Sequence, residues 1–356
     1  SLFYLAYTGV NGGLVIISAD DPGAWSSQNE QDNRHYARFA KVPCLEPADS
    51  QECMDFIAQA FDLSEQFDTP VIVRTTTRIS HSKSVIDLPS GNGQEPRALK
   101  PFVPEASKYV MIPANARRRH PLVEERIKKL SEWAETARIN TIEWGDKKFG
   151  VIASSVAYQY AREVFEGYSF LKLGMSYPLP EKLIREFAAQ VEKLVVVEEL
   201  DPFYEHEIRA LGIQVVGKEY FPITNEFTLA VVRDGARKLG VPQADSAKPA
   251  PASQLTARPP ALCPGCPHRS TFYALHKLRI HVAGDIGCYA IGVLPPFSAI
   301  DTLGCMGASI GVMQGVDAVG GNTDKQPWVA VIGDSTFFHA GMPALTNIIY
   351  NAAPAR

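Results

Sequence analysis

Trp328-Val-Ala-Val-Ile-Gly-Asp-Ser335, continued by Thr336-Phe-Phe-His-Ala-Gly341, decides how this chain is read. Its apolar run predicts a buried strand. The residues after Gly-Asp-Ser turn into a helix with Leu345, Ile348 and Ile349 at apolar positions. Strand, tight turn and helix in this order are the repeating piece of a doubly wound α/β sheet. An aspartate at the carboxyl end of such a strand lies on the rim where these sheets bind ligands. A carboxylate there, behind a glycine that lets a ligand come close, suits Mg2+ shared with phosphate oxygens. An aspartate that only caps the following helix fits the same letters.

Two upstream segments repeat the arrangement. Gly284-Asp-Ile-Gly-Cys-Tyr289 follows the short apolar His281-Val-Ala283. Gly304-Cys-Met-Gly-Ala-Ser-Ile-Gly311 opens a helix, whose N-terminal amides are a ready anion site. The second segment is neither a Walker A loop nor a G-x-G-x-x-G fingerprint, and tight helix packing explains its glycines more simply. Further back, Cys263-Pro-Gly-Cys266-Pro-His268 has three readings. It supplies three ligands of a zinc site, or a redox dithiol, or a turn shaped by Pro264 and Gly265 that lines a cofactor pocket. Zinc needs a fourth ligand from Cys288, Cys305 or a distant histidine.

Nearer the N-terminus, Leu14–Asp20 predicts a buried strand, followed by the polar loop Ser26–Arg34. Asp49 with Glu52 three residues on predicts a helix start, with Met54, Ile57, Ala58 and Phe61 on its apolar face. Thr69–Arg74 is a second strand. Residues 84–116 lack periodicity and read as a linker, ahead of the basic run Arg117–Arg119 and an amphipathic helix over Pro121–Ala137. So short a basic cluster, without interleaved aromatics, reads as solvated rather than phosphate-binding. A second series runs through strands at Phe149–Ala153 and Phe170–Leu173, a helix at Pro180–Ala189 and strands at Lys193–Glu198 and Ile213–Val216. Five prolines in Pro242–Pro260 make a semi-rigid linker before the last α/β segment. The expected fold class is α/β, with three doubly wound parallel-sheet units.

Composition narrows the function. At 356 residues, 46% hydrophobic and 21% charged, the chain carries enough apolar material for sizeable cores, which excludes disorder. A net charge of −4 leaves no electrostatic footprint for nucleic acid or an anionic membrane. No apolar run reaches the ~18 residues of a membrane span, and no signal peptide is recognisable. Six cysteines are too few for a disulfide scaffold, so a cytoplasmic protein is expected.

Taken in register, several stretches resemble the α subunit of the indolepyruvate ferredoxin oxidoreductases, which are thiamine-diphosphate-dependent 2-oxoacid oxidoreductases. They are Ala6-Tyr-Thr-Gly-Val-Asn-Gly-Gly-Leu14, Ser18–Pro22, Ser26–Arg34, Arg74–Ser82, Cys263–His268, Gly284–Tyr289 and Gly333-Asp-Ser335. The resemblance implies a thiamine-diphosphate-binding fold truncated at both ends. Residues 1–90 would be the C-terminal part of a pyrimidine-binding domain, and 91–145 a linker and helix. Residues 146–241 would be a transketolase-C-like domain, 242–260 a linker, and 261–356 the N-terminal part of a diphosphate-binding domain. The family's pyrimidine-binding glutamate, second metal-binding asparagine and cluster cysteines would lie outside 1–356, leaving this stretch inactive alone.

The implied activity is oxidative decarboxylation of aryl 2-oxoacids to acyl-coenzyme A with ferredoxin as acceptor. Thiamine diphosphate, Mg2+ and iron–sulfur clusters would serve it, in a hetero-oligomer with a smaller β subunit and with no nucleic-acid or membrane partner. Asp334 is the implied Mg2+ ligand. Gly265, Cys266, His268, Asp285, Ile286, Gly287, Cys288, Met306, Gly307, Ala308, Gly333, Asp334 and Ser335 would contact the cofactor. His268 and His339 are the catalytic candidates, and Asn29, Glu30 and Arg34 the substrate candidates. The resemblance favours the pocket turn over zinc at Cys263–His268. A non-catalytic scaffold and a zinc-binding module are the competing functions, and a scaffold has no use for both the Gly-Asp-Ser and Cys-Pro-Gly-Cys segments.

Overall fold

In the computed structural model, which describes residues 2–88, 100–243, 259–320 and 326–351, the apolar runs become strands. The chain divides into two compact units, Ser1–Ala247 and Lys248–Arg356. Among the described residues the first unit holds β1 (Val15–Asp20), β2 (Cys44–Leu45), β3 (Val71–Thr76), β4 (Thr141–Glu143), β5 (Asp146–Ala153), β6 (Tyr168–Lys172), β7 (Met175–Tyr177) and β8 (Lys193–Val197). They form two sheets, ordered β1-β3-β2-β7 and β4-β6-β5-β8. Their inner pairings are parallel, but β7 runs antiparallel to β2 and β4 antiparallel to β6. The expectation of wholly parallel sheets therefore fails at these two edges, where a strand need not be covered on both faces. The strand β4 also lies within the stretch expected to be linker and helix.

Period-2 alternation sends successive strand residues to opposite faces, and helices cover both. In the first sheet Leu45, Val71 and Val73 pack on Phe56, Ala60 and Leu63 of α3 (Ser50–Phe67). Cys44 and Ile72 face α1 (Leu2–Thr8) and α2 (Arg34–Ala40) through Ala6, Ala37 and Ala40. Past β3 come the short helices α4 (Thr77–His81) and α5 (Ala106–Tyr109), then α6 (Pro113–Ala134). In the second sheet Val151, Ala153 and Val195 meet α7 (Ser155–Val164) and α10 (Leu229–Lys238). On its other face Ile152, Leu171 and Val196 meet α8 (Glu181–Ala188) and α9 (Phe203–Ala210).

Three expectations are corrected here. Helix α3 starts as predicted, with the Asp49 side chain accepting from Glu52 N at 2.9 Å and Glu52 Oε2 accepting from Ala48 N at 2.8 Å. Its buried row, however, is Phe56, Ala60 and Leu63, while Ala58 and Phe61 are exposed. Two apolar rows run along this helix, and only the facing strands select one. Helix α6 begins at Pro113, so Arg117–Arg119 lie within it rather than ahead of it. Arg119 Nε donates to Tyr7 O at 2.8 Å and Arg126 Nη1 to Ala6 O at 2.7 Å. Arg119 and Arg126 thus cap the negative C-terminal end of α1, while Arg117 and Arg118 stand exposed as expected. Ile213–Val216 contributes a single bridge, Val195 to Val216, and no strand.

In the second unit β9 (His281–Gly284), β10 (Thr302–Leu303) and β11 (Trp328–Ala330) make a parallel sheet ordered β10-β9-β11. Ala283 packs on Ile310 and Met313 of α12 (Ala308–Ala318) and on Ile348 of α14 (Met342–Tyr350). A separate cluster gathers Leu262, Phe297 and Ala299 around Phe272 of α11 (His268–Leu278). Between β11 and α14 lie the one-turn helix α13 (Asp334–Thr336) and a π-helical turn, Phe337–Gly341. The strand β11 is half-buried rather than buried, because it forms the edge, and Ile349 is exposed. Most of the proline-rich stretch falls outside the described residues. No described helix is long and apolar enough to cross a membrane.

Candidate cofactor site

Parallel strands end on one edge, so the turns after β9, β10 and β11 gather there. Asp285 follows β9 and is fully buried. Its Oδ1 accepts from Ile286 N at 2.7 Å and from Gly307 N at 3.2 Å. That carboxylate ties the 285–288 turn to the start of α12. Gly307 has φ of +84°, and a Cβ there would stand 2.8 Å from the Ala340 Cβ. Only glycine lets the π-helical turn approach the α12 N-terminus this closely.

Tyr289 joins the remaining pieces. Its ring meets His268 edge-on at 4.9 Å and Phe272 at 5.9 Å between centroids. Beyond β11, a Cβ on Gly333 would lie 3.8 Å from the same ring. Burial, then the nearby carboxylates of Asp334 and Asp285 and the Cys288 thiol, push the Tyr289 phenol up, which keeps it a hydrogen-bond donor. Cys266 Sγ lies 3.1 Å from His268 Nδ1. Asp334 is exposed and its carboxylate has no hydrogen bond or ion pair among the described residues. Gly265 and Gly287 have φ of +73° and +86°, with open space where a Cβ would be.

The structure thus brings together Cys266, His268, Asp285, Gly307, Gly333 and Asp334, with Ile286, Gly287 and Cys288 on one turn and Met306 and Ala308 beside Gly307. Ser335 and His339 are exposed on the helical turns that follow Asp334. No group of three His, Cys, Asp or Glu side chains among the described residues is placed to hold a metal ion. The Cys263–His268 motif is not part of a closed zinc cage there.

The first-unit candidates behave differently. Arg34 is 1% exposed, and its Nη1 donates to Glu198 Oε2 at 2.6 Å while Nε donates to Asp32 Oδ1 at 2.9 Å. Arg74 Nε donates to Asp20 Oδ2 at 2.6 Å and Nη1 pairs with Glu46. Glu46 Oε2 in turn accepts from Tyr204 Oη at 2.6 Å and Ser154 Oγ at 2.9 Å. Arg74 and Asp32, flanked by unlike charges, are held further into their charged ranges. The expectation of a ligand-facing Arg34 therefore fails: the side chain is buried, tying the loop after β1 to the residues that follow β8. Glu30 accepts from Gly23 N at 2.8 Å and Asn225 N at 2.7 Å, pinning the loop, and Asn29 is exposed and bonded to Gln31.

A family model described as pyruvate flavodoxin/ferredoxin oxidoreductase, thiamine diphosphate-binding, matches residues 18–144. A second, the C-terminal thiamine-pyrophosphate-binding domain of thiamine pyrophosphate enzymes, matches residues 285–355. The indolepyruvate oxidoreductase subunit IorA of Archaeoglobus fulgidus is 41% identical over 372 residues, covering 99% of this chain. That of Pyrococcus horikoshii is 40% identical over 386 residues, also covering 99%. The chain belongs to the indolepyruvate oxidoreductase α-subunit family. It spans 59% and 60% of the length of those two relatives. A solved 2-oxoglutarate:ferredoxin oxidoreductase from Magnetococcus marinus overlaps 67% of this chain and 50% of its own at 15% identity and a TM-score of 0.47, too loose to bear on the site.

Thiamine diphosphate is the cofactor of this family, and the residues present fit it. Gly265 and Gly287 leave open backbone without side chains on two of these turns, which suits the close approach of a diphosphate. The unpaired Asp334 carboxylate is a hard oxygen ligand of the kind Mg2+ takes. Sequence reasoning missed Tyr289 as the ring that joins these turns, although it ends the quoted Gly284–Tyr289 segment. It also missed Asp20, Glu46, Arg74 and Glu198, whose signal is a charge directly after a buried apolar run, and Asp32, which no local pattern marks.

Proposed function

We propose that the full-length protein oxidatively decarboxylates aryl 2-oxoacids of the indolepyruvate kind to acyl-coenzyme A, passing electrons to ferredoxin. When bound, thiamine diphosphate supplies the nucleophilic carbon and the electron sink for loss of CO2. The Gly265–His268, Asp285–Cys288 and Met306–Ala308 turns would present backbone groups and short side chains to its diphosphate and thiazolium. Asp334, with Gly333 and Ser335 beside it, would be a ligand of Mg2+, whose charge would offset that of the diphosphate. His268, its Nδ1 beside Cys266, moves a proton or orients the substrate carboxylate, and His339 does the same from the π-helical turn. Asn29, from the exposed loop, is a substrate contact. In this reading the first sheet is the pyrimidine-binding domain, the second the transketolase-C-like domain, and residues 261–356 the diphosphate-binding domain. A smaller β subunit and iron–sulfur clusters complete the cytoplasmic enzyme.

The observation that carries this reading is the gathering of three turns beyond three parallel strands around an exposed, unpaired Asp334. Asp334→Ala in the full-length protein should abolish Mg2+-dependent thiamine diphosphate binding, measured by calorimetry. Circular dichroism should stay unchanged, since a rim residue contributes little to the core. Unchanged affinity in that variant rejects the metal role.

A further inference from the structure

Cys263 has no task in the reading above, yet its setting is specific. Pro264 and Gly265 occupy the centre of a turn in which Cys266 N donates to Cys263 O at 3.1 Å, with Gly265 at φ of +73°. This is the proline-then-glycine pattern of a type II β-turn. The ends of a β-turn have Cα atoms under about 7 Å apart, within the reach of a disulfide. Helix α11, eleven residues long, starts two residues after Cys266. The Cys266 sulfur lies 3.1 Å from His268 Nδ1, at the start of that helix. Cys263 is exposed and Cys266 half-buried, so an oxidant reaches the pair. Cys44 shows the contrast: burial pushes its thiol up to about 12, which leaves it inert.

We infer that Cys263 and Cys266 form a peroxide-sensitive dithiol whose closure to a disulfide disables the cofactor turn. The Cys266 thiolate attacks the O–O bond of hydrogen peroxide; an S–O bond forms, and the departing hydroxide takes a proton and leaves as water. The Cys263 sulfur then attacks that sulfenic acid, the S–S bond forms, and its proton leaves with the hydroxyl as a second water. The two thiols give up two electrons, and one peroxide becomes two waters. Once bound to the Cys263 sulfur, the Cys266 sulfur is no longer the thiol that sits in hydrogen-bond contact with His268 Nδ1. The ring that packs on Tyr289 loses its anchor. The disulfide stands on the turn geometry alone, whereas its effect on the cofactor rests on the proposed function.

The experiment takes the full-length protein in its native complex, reduced or treated with hydrogen peroxide, then alkylated and mapped by peptide mass spectrometry. Cys263 and Cys266 should escape alkylation together after peroxide and regain it after dithiothreitol. Thiamine diphosphate affinity, read by calorimetry so that cluster damage does not enter, should fall about tenfold or more on oxidation, as when a group orienting a site is lost. Reduction should restore it. Cys263→Ser should bind the cofactor as the wild type does and keep that affinity through peroxide. Free Cys263 and Cys266 after oxidation, a disulfide to Cys288 or Cys305 instead, or equal loss in Cys263→Ser overturns the inference. If the reduced protein binds no thiamine diphosphate, the proposed function fails, and the disulfide map still decides the switch.

Discussion

The Arg34 guanidinium lies 5.0 Å from the ring centroids of both Phe203 and Tyr204, with Asp32 and Glu198 on its edges. Its Nη2 also donates to the carbonyls of Glu199 and Asp201 at 3.1 Å. Taking away one partner of such a buried set leaves the others charged and unpaired, which costs about 3–5 kcal/mol. Arg34→Met should therefore lower the unfolding free energy by about that amount in urea titrations. A loss under about 1 kcal/mol, the value of an exposed pair, sinks this account. The polar loop around Arg34 reads as solvated or ligand-facing by itself. What discloses the pairing is farther off: Arg74 after Val71-Ile-Val73, and Glu198-Glu199 after Leu194–Val197. No local pattern joins those charges to Arg34, so only the fold could place them together.

At the scale of elements, α3 shows what short-range sequence can and cannot carry. Its start is set by Asp49 and Glu52, whose side chains satisfy otherwise unpaired amides. Asp49→Ala should cost about 1 kcal/mol, with Asp49→Asn retaining most of the stability, both read from thermal or urea unfolding. A neutral Asp49→Ala would mean the cap is redundant. Strands β1, β3, β5 and β8 and the edge turn at Asp334 were equally legible, because apolar runs bounded by glycine, proline or charge are local facts. The buried row of α3 was not, since Phe56 and Phe61 are alike in sequence and differ only in what faces them. The length of α6 escaped for a related reason: Pro113 is a sound first helical residue, but Pro121 inside the helix reads as a start. Tertiary contacts with α1 override that break.

At the scale of the molecule, the buried charges set how stability follows pH. Burial raises Glu199 from 4.5 to about 7, only partly offset by the Phe227 amide, Arg74 and Lys218. Between about pH 4.5 and 7 the folded chain therefore holds a proton that the unfolded chain releases, and stability falls as pH rises. Asp32 has the opposite sign: Arg34 and Arg74 hold its carboxyl low, so its contribution is present above 3.8 and lost in acid. Glu199→Gln keeps a carbonyl for the Phe227 amide and removes the titration. Urea unfolding across pH 4.5–8 should show a flatter profile than wild type, and greater stability at pH 8. An unchanged slope would mean another group holds that proton.

Leu173 and Gly174 alone separate β6, inside the second sheet, from β7, on the edge of the first. Glu46 N also donates to Gly174 O at 2.8 Å, so the crossing itself is stitched to the first sheet. The two sheets share one continuous strand-to-strand passage, and a boundary drawn between them would expose the bare edge of β2. Cutting the chain between the sheets would therefore unfold an edge of the first as well as release the second. A truncation after Lys172 should accordingly cost the first sheet its β7 edge, although every other strand of that sheet is retained.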